Sequence, residues 1–456
     1  MPDKLRFDTL AVHAGRRSDP TTGASAVPIY STAAFVFANA DDAADAFALR
    51  KPANIYTRIM NPTNGAFEER VNALEGGIGA VATASGQAAI TLAIFNIAGA
   101  GDEIISSASL YGGTVNLFGP SFSKLGIKVI TVDPSDPENF RKAITPKTKA
   151  IYGETIGNPG LDVLDIEAVA AIAHEAGLPL ILDNTFASPA LCRPFNHGCD
   201  IVIHSATKYI SGHGTTIAGV LVDSGKFDWR GSKRFPWLTE PDPSYHNAVM
   251  ADDFGEAAYI ARARVQALRD YGPCLSPFAS FILLLGLETL PLRMERHSTN
   301  ARLVAEYLAG HPGVAWVNYP GLPGRARPDL DQKYLPKGAG GILTFGLKGG
   351  LEAAKTFQAS TELFGLMPNV GDARSLVIHP ATTTHSQLGP EERVKAGVPD
   401  DLIRLSVGLE DPADLIDDLR QALKAADKAA KKAAKKATET DRVVADAGAG
   451  AGAGSK

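Results

Sequence analysis

Apolar runs and helical stretches alternate along the middle of this chain, and that alternation sets the expected architecture. From about Gly79 the runs "GAVATAS", "DEIISSA", "IKVITVD", "KAIYGET", "LPLILDN" and "DIVIHSA" carry apolar residues at both odd and even positions. A strand that is apolar on both parities is buried on both faces, so the pattern predicts a mostly parallel sheet covered by helices on either side. One intervening helix is plain: in "DIEAVAAIAHEAG", Ile166, Val169, Ile172, Ala173 and Ala176 recur at helical spacing and Gly177 ends it. A second helix is expected to start near Gly86, and "YGGTVNLFGPSFSKLG" reads as a further covering segment.

The flanks differ. Residues 1–65 are polar and turn-rich ("RRSDPTTGASAVP", "IMNPTNG"), an expected arm without a core of its own. Downstream, "FDWRGSKRFPWLTEPDPSYHN" is a long aromatic- and proline-rich loop, of the kind that walls a site or pads a subunit contact. A long helical region follows, from about Gly255 to Leu308, broken near "YGPCLSP". Then "GGILTFGLKGG", "LEAAKTFQASTELF", "SLVIHPA" and "LIRLSVGLE" predict a second, smaller α/β domain. The expected division is an arm (1–65), a large domain (66–298), a small C-terminal domain (299–426) and a tail (427–456). The tail, "DKAAKKAAKKATETDR" and then "AGAGAGAGSK", is helix-prone without an apolar stripe and then of low complexity. No catalysis is expected of it.

Composition narrows the classes. At 456 residues, 45% hydrophobic and 21% charged, the chain has the length for about 2–3 domains and the make-up of a soluble protein. A net charge of −5 gives no general basic surface for nucleic acid or membrane. The start, "MPDKLRFDTLAVHAGRR", lacks the apolar stretch of a signal peptide. The most apolar window, "AVATASGQAAITLAIFNIAGAG", is broken by polar residues and glycines and reads as a buried strand and helix. Cys192, Cys199 and Cys274 have no C-x-x-C spacing, which points to a reducing, cytoplasmic compartment with neither disulfides nor a zinc site. His204, His213, His379 and His385 lack metal-ligand spacing, so local hydrogen bonding is expected of them and no metal.

The reactive residues stand at strand ends. Asp183 closes "LPLILD" and Lys208 follows "DIVIHSAT"; in doubly wound sheets, ligands bind beyond those carboxyl ends. "SGQAA", from Ser85, joins a strand to a helix, turning backbone N–H groups and the positive helix end toward an anion, with Gly86 allowing close approach. Ser205 and Thr207 add hydroxyls beside Lys208. Each feature alone has a plain structural explanation, as a turn, an Asx-turn or a local backbone bond. Together they match pyridoxal phosphate: a lysine for the Schiff base, an acid for the pyridine nitrogen and a helix end for the phosphate. A lysine desolvated near a cationic ring loses its charge and serves as nucleophile and base. The competing pattern is Ser205-Ala-Thr-Lys208, an S-x-x-K of acyl-serine enzymes, but its S-D-N and K-T-G companions are missing.

The segments "YTRIMNPTN", "SGQAA", "LYGGT", "ETIGNP", "LDNTFASP", "HSATKYISGHGT", "TEPDPSYH", "LPLRMERH", "SLVIHPATTTH" and "IRLSVGLE" run in one order from Tyr56 to Glu410. In these segments the chain resembles the Cys/Met-metabolism family of pyridoxal-phosphate enzymes, and within it the O-acetylhomoserine sulfhydrylases. The resemblance implies an α/β, fold-type I, aspartate aminotransferase-like architecture. It implies Lys208 as the Schiff-base lysine and proton shuttle, Asp183 as the partner of the pyridine nitrogen, and Tyr111 stacked on the ring. Ser85, Gly86, Gln87, Ser205 and Thr207 would hold the phosphate, and Tyr56 and Arg58 would reach the phosphate of a neighbouring subunit's cofactor. Arg404 would grip the substrate carboxylate, helped by Asn158, which also faces the cofactor, and by the backbone near Ser375. A homotetramer of active dimers is implied. So is γ-replacement on a small amino-acid ester: O-acetyl-L-homoserine plus sulfide, or methanethiol, giving homocysteine, or methionine, and acetate. Cystathionine γ-synthase or γ-lyase chemistry is the alternative within the family, and a non-catalytic pyridoxal-phosphate protein the alternative outside it. The family's methionine γ-lyases carry cysteine two positions after the stacking tyrosine, where this chain has Gly113.

Overall fold

The computed structural model describes residues 5–451 apart from 385, 387, 388, 390, 392 and 394–396, with side chains described up to residue 435. His385 and the last five residues of the tail therefore lie outside the described residues. The larger sheet contains β1 (Gly79–Thr83), β2 (Glu103–Ser107), β3 (Lys128–Val132), β4 (Thr148–Glu154), β5 (Leu180–Asp183), β6 (Ile201–His204) and β7 (Gly219–Asp223). Their order across the sheet is β1-β7-β6-β5-β4-β2-β3. All neighbours pair in parallel except β7, which is antiparallel to both β1 and β6. The sheet is thus mostly parallel, as the apolar runs predict. β7 is the strand that the pattern does not pick out. The chain reaches it from β6 through the Lys208 loop, without the crossover helix that a parallel neighbour requires.

The strand β8 (Val314–Asn318) opens the second sheet, which continues with β9 (Ile342–Leu347), β10 (Gly365–Leu366), β11 (Leu376–Ile378) and β12 (Leu402–Ser406). Their order is β10-β11-β12-β9-β8, parallel only between β10 and β11. The edge strand β8 is mostly half-exposed, so it has no apolar run to announce it. Among the longer helices are α1 (Phe7–His13), α2 (Ala40–Phe47), α3 (Pro62–Glu75), α4 (Gly86–Phe95), α5 (Ile166–Glu175), α6 (Pro277–Glu288), α7 (Leu290–Ala309), α8 (Gly350–Ser360) and α9 (Pro412–Ala451). The N-terminal segment is less irregular than its composition implies: it holds α1 and α2, and α3 runs through position 65. Leu10 and Ala11 of α1 pack into the large core instead of forming one of their own. Among the described residues no single helix is long and apolar enough to cross a membrane.

Strand alternation divides the central sheet between two cores. Leu180, Leu182, Val202, Val220 and Val222 pack with Phe67, Val71 and Leu74 of α3. Ile181, Ile201, Ile203 and Leu221 pack with Ala89, Ile90 and Ala93 of α4. The helix ends are set locally. Asn61 caps α3 by accepting from Thr63 N at 2.9 Å, Pro62 occupies its first turn, and Gly76 at φ +83° ends it. Ser85 caps α4 by accepting from Ala88 N at 3.1 Å. In α5, Ile166, Val169, Ile172 and Ala173 are buried, and Gly177 at φ +66° follows the last turn.

One close approach fixes the site. A Cβ on Gly86 would stand 2.7 Å from Ser205 Cβ and 2.9 Å from its Cα, so the start of α4 touches the exit of β6 only because residue 86 has no side chain. Gly86→Ala should therefore cost about 1–3 kcal/mol by overpacking. Urea denaturation of the protein prepared without cofactor would check this; an unchanged midpoint would contradict it.

Candidate active site

A cavity of about 250 Å³ opens where β1, β4, β5 and β6 end, and it is closed on the other side by residues of the second sheet and the loop before β11. Of the residues singled out from sequence, Ser85, Gly86, Gln87, Tyr111, Asn158, Asp183, Ser205, Thr207, Lys208 and Arg404 line it. Ser375, Tyr56 and Arg58 do not. Ser375 is buried behind the site, where its hydroxyl donates to Glu410 at 2.9 Å and accepts from Gly408 N at 2.8 Å. Tyr56 is exposed, and Arg58 lies over its ring, 5.6 Å from the centroid, while donating to the Arg269 carbonyl.

Lys208 Nζ donates to Asn369 Oδ1 at 2.5 Å. Burial, reinforced by the Arg404 charge, lowers its pKa to about 8. The S-x-x-K alternative needs that amine on the Ser205 hydroxyl, whereas the bond it makes is to Asn369. Asp183 accepts from Thr185 N at 2.9 Å; burial raises its pKa, while Thr185 and the His204 charge oppose the rise. Arg404, drawn down to about 10 by burial, donates to Asn158 Oδ1 at 3.3 Å. That leaves most of its planar fork of donors for a ligand.

At the anion end, the Gly86 and Gln87 N–H groups begin α4 with no partner among the described residues. Ser205 N donates to Thr185 Oγ1 at 2.8 Å, and Ser205 Oγ makes no bond within the described residues. The Thr207 hydroxyl is spent locally, donating to Ala218 O at 3.2 Å and accepting from Ala218 N at 3.0 Å. Sequence placed Thr207 beside Ser205 as an equal donor; in the structure only Ser205 is uncommitted. Gln87 Nε2 is held by Gly113 O at 2.9 Å. Tyr111 stands at the mouth, half-exposed, its backbone N–H donating to Glu154 Oε1 at 2.7 Å. Its ring lies over Gly113, where a Cβ would come 2.4 Å from Tyr111 Cε1. Cysteine at that position would push the ring away.

Nine lining residues escape the sequence reading, and two of them, Glu154 and Asn369, bear on the chemistry. Glu154 ends β4 in register with Asp183, and burial followed by the Asp183 charge holds its carboxyl well above the usual range. The strand-end rule that picks out Asp183 would have found it. Asn369 lies in "MPNVGD", a loop with no chemical signature. The aromatic segment "FPWLTEPDPSYH" contributes nothing to this cavity; it packs near Phe95 and Arg262, with Arg262 over the Trp237 ring. Of the other described histidines singled out from sequence, His213 bonds locally, to Ser211 O, and His379 bonds Thr382 Oγ1 and the more distant Asp400 O, whereas His204 departs from the local expectation by reaching Glu75 of α3.

A lysine with a depressed pKa, a buried acid and a capped helix start around one small cavity define a pyridoxal-phosphate enzyme of the fold-type I class, and the donor set fits that cofactor end to end. The chain belongs to the Cys/Met metabolism PLP-dependent enzyme family, whose model matches residues 8–424. It is 54% identical to the O-acetyl-L-homoserine sulfhydrylase of Leptospira meyeri, over 92% of this chain and 97% of that protein. It is 50% identical to the homocysteine synthase of Schizosaccharomyces pombe, over 91% and 97% respectively. A crystal structure from Campylobacter jejuni holding N'-pyridoxyl-lysine-5'-monophosphate superposes with a TM-score of 0.90 at 41% identity, covering 92% of this chain and all of that one.

The Lys208 geometry has a pH consequence. Its folded pKa of about 8 lies below the ordinary 10.5, so between those values the unfolded chain holds more protons and stability rises with pH. Below pH 8 the buried ammonium costs about 3 kcal/mol. Lys208→Met should therefore stabilise the cofactor-free protein below pH 8, with the gain fading toward pH 10.5. Urea denaturation of both forms across that range would show it; a difference independent of pH would contradict it.

Proposed function

We propose that this chain is a cytoplasmic O-acetylhomoserine sulfhydrylase, exchanging the acetate of O-acetyl-L-homoserine for sulfide to give L-homocysteine. The observation that carries the reading is the joint opening of Lys208, Asp183, Arg404 and the start of α4 into one cavity, in a chain 54% identical to a protein of that activity. When bound, pyridoxal phosphate supplies the electron sink that makes the substrate's Cα and Cβ protons removable.

The protein's own groups do the rest. The start of α4 and Ser205 would hold the phosphate, Asp183 would keep the ring nitrogen protonated, and Tyr111 would cover the ring. Arg404, steadied by Asn158, binds the substrate carboxylate with a bidentate fork. Lys208 Nζ takes the Cα proton and returns it, and an amine with a pKa of about 8 is matched to that duty. A Cβ proton is also removed as acetate leaves from Cγ; hydrosulfide bonds to the same carbon, and Cβ is then reprotonated. Asn369 gives Lys208 Nζ a resting partner between transfers.

Tyr56 and Arg58, outside their own chain's cavity, fit the proposed role of reaching a neighbour's phosphate in a homotetramer of active dimers, with the N-terminal arm at that contact. Gly113 beneath the Tyr111 ring favours replacement over the elimination alternative.

Incubated with O-acetyl-L-homoserine and sulfide, the purified enzyme should form homocysteine and acetate in equal amounts, with 2-oxobutyrate minor; mostly 2-oxobutyrate would contradict the assignment. Lys208→Ala should lower kcat roughly a thousandfold or more. Arg404→Ala should raise KM by about 10- to 100-fold through lost charge-assisted bonds, and steady-state kinetics with an unchanged KM would remove its assigned role.

A further inference from the structure

A buried carboxylate that the reaction does not use sits directly behind the site. Glu75, the last residue of α3, is 1% exposed, and its Oε1 accepts from His204 Nε2 at 2.6 Å and from Asn184 Nδ2 at 3.0 Å. Both donors are fully buried. Asn184 immediately follows Asp183, and His204 immediately precedes Ser205. One carboxylate oxygen therefore grips the exits of β5 and β6, each one residue from a proposed cofactor ligand.

Alternation separates this contact from the chemistry. His204 shares its sheet face with Val202, in the core that contains Leu74 and Val71 of α3, whereas Asp183 shares the opposite face with Ile181. The backbone continues the tie: Asn184 N donates to Ile203 O at 2.8 Å, and the Asn184 side chain also donates to Cys192 O at 2.9 Å. A buried carboxylate that satisfies two donors on adjacent strands resists any slide between them, because sliding strands a polar group away from water.

We infer that Glu75 is a positioning residue, a clamp that fixes the spacing between the Asp183 end and the Ser205–Lys208 end of the cofactor site. The inference rests on the assignment of pyridoxal phosphate to Lys208. Glu75→Gln keeps the shape but replaces the carboxyl that accepts from His204 and Asn184 with an amide, and His204→Gln replaces the ring with an amide.

The test is equilibrium titration of the cofactor-free wild type and each variant with pyridoxal phosphate, following the absorption of the bound cofactor, with far-ultraviolet circular dichroism to verify the fold. Both variants should bind at least tenfold more weakly and with a displaced absorption maximum. The Glu75→Gln/His204→Gln double variant should lose no more than the worse single one, since both act through one contact. Should Glu75→Gln not fold, Asn184→Ser leaves the His204 pair intact and releases the β5 exit from Glu75, with loss of the bond to Cys192 O as well; at least threefold weaker binding is expected of it. Folded variants with the wild-type dissociation constant and absorption maximum would overturn the clamp, whatever their thermal stability. A wild type that takes up no pyridoxal phosphate would overturn the cofactor assignment and the clamp together.

Discussion

Desolvated charge at one edge of an otherwise apolar sheet is the constraint on which the rest of this structure depends. β5 and β6 are apolar on both faces, so charge can enter only where they end. There, two cations (Lys208 and Arg404) and two carboxyl groups (Asp183 and Glu154) face a cavity of about 250 Å³. Burial pushes each of them toward its neutral form: Lys208 to about 8, Arg404 to about 10, and both carboxyl groups upward. An ammonium on the surface yields only a trace of free amine near neutral pH; with a pKa of about 8, roughly a tenth of Lys208 is amine at pH 7, able to attack and to carry protons.

The opposite end of the cavity uses backbone dipoles in place of side-chain charge. Its donors come from the start of α4, which meets the β6 exit because Gly86 has no Cβ, and from the uncommitted Ser205 hydroxyl. This division suits a ligand that is anionic at one end and basic at the other. Within one chain, a phosphate on N–H groups needs no further buried cation beside Lys208.

How much of this the sequence disclosed follows from how each feature is encoded. The parallel strands and α5 were legible because burial on both faces and helical periodicity leave direct marks. So were Asp183, Lys208 and the "SGQAA" turn, because strand ends are where such folds hold ligands. β7 was hidden because no helix precedes it, and β8 because an edge strand needs no apolar run. Asn369 reaches Lys208 across 161 positions of sequence, a distance that no local pattern spans. The Thr207 hydroxyl looked equivalent to that of Ser205 until the fold brought Ala218 against it. The aromatic loop resembled a wall of the site; its packing on Phe95 and Arg262 is a tertiary fact that composition does not carry.

The proposed chemistry requires that Lys208 be the lysine that bears the cofactor. Borohydride reduction of the purified protein loaded with pyridoxal phosphate, followed by proteolysis and peptide mass spectrometry, reads that lysine directly. The pyridoxyl group is expected on Lys208 in the peptide containing "HSATKYISGHG", at one equivalent per chain. A group on another lysine, or spread over several surface lysines with none on Lys208, would contradict the account.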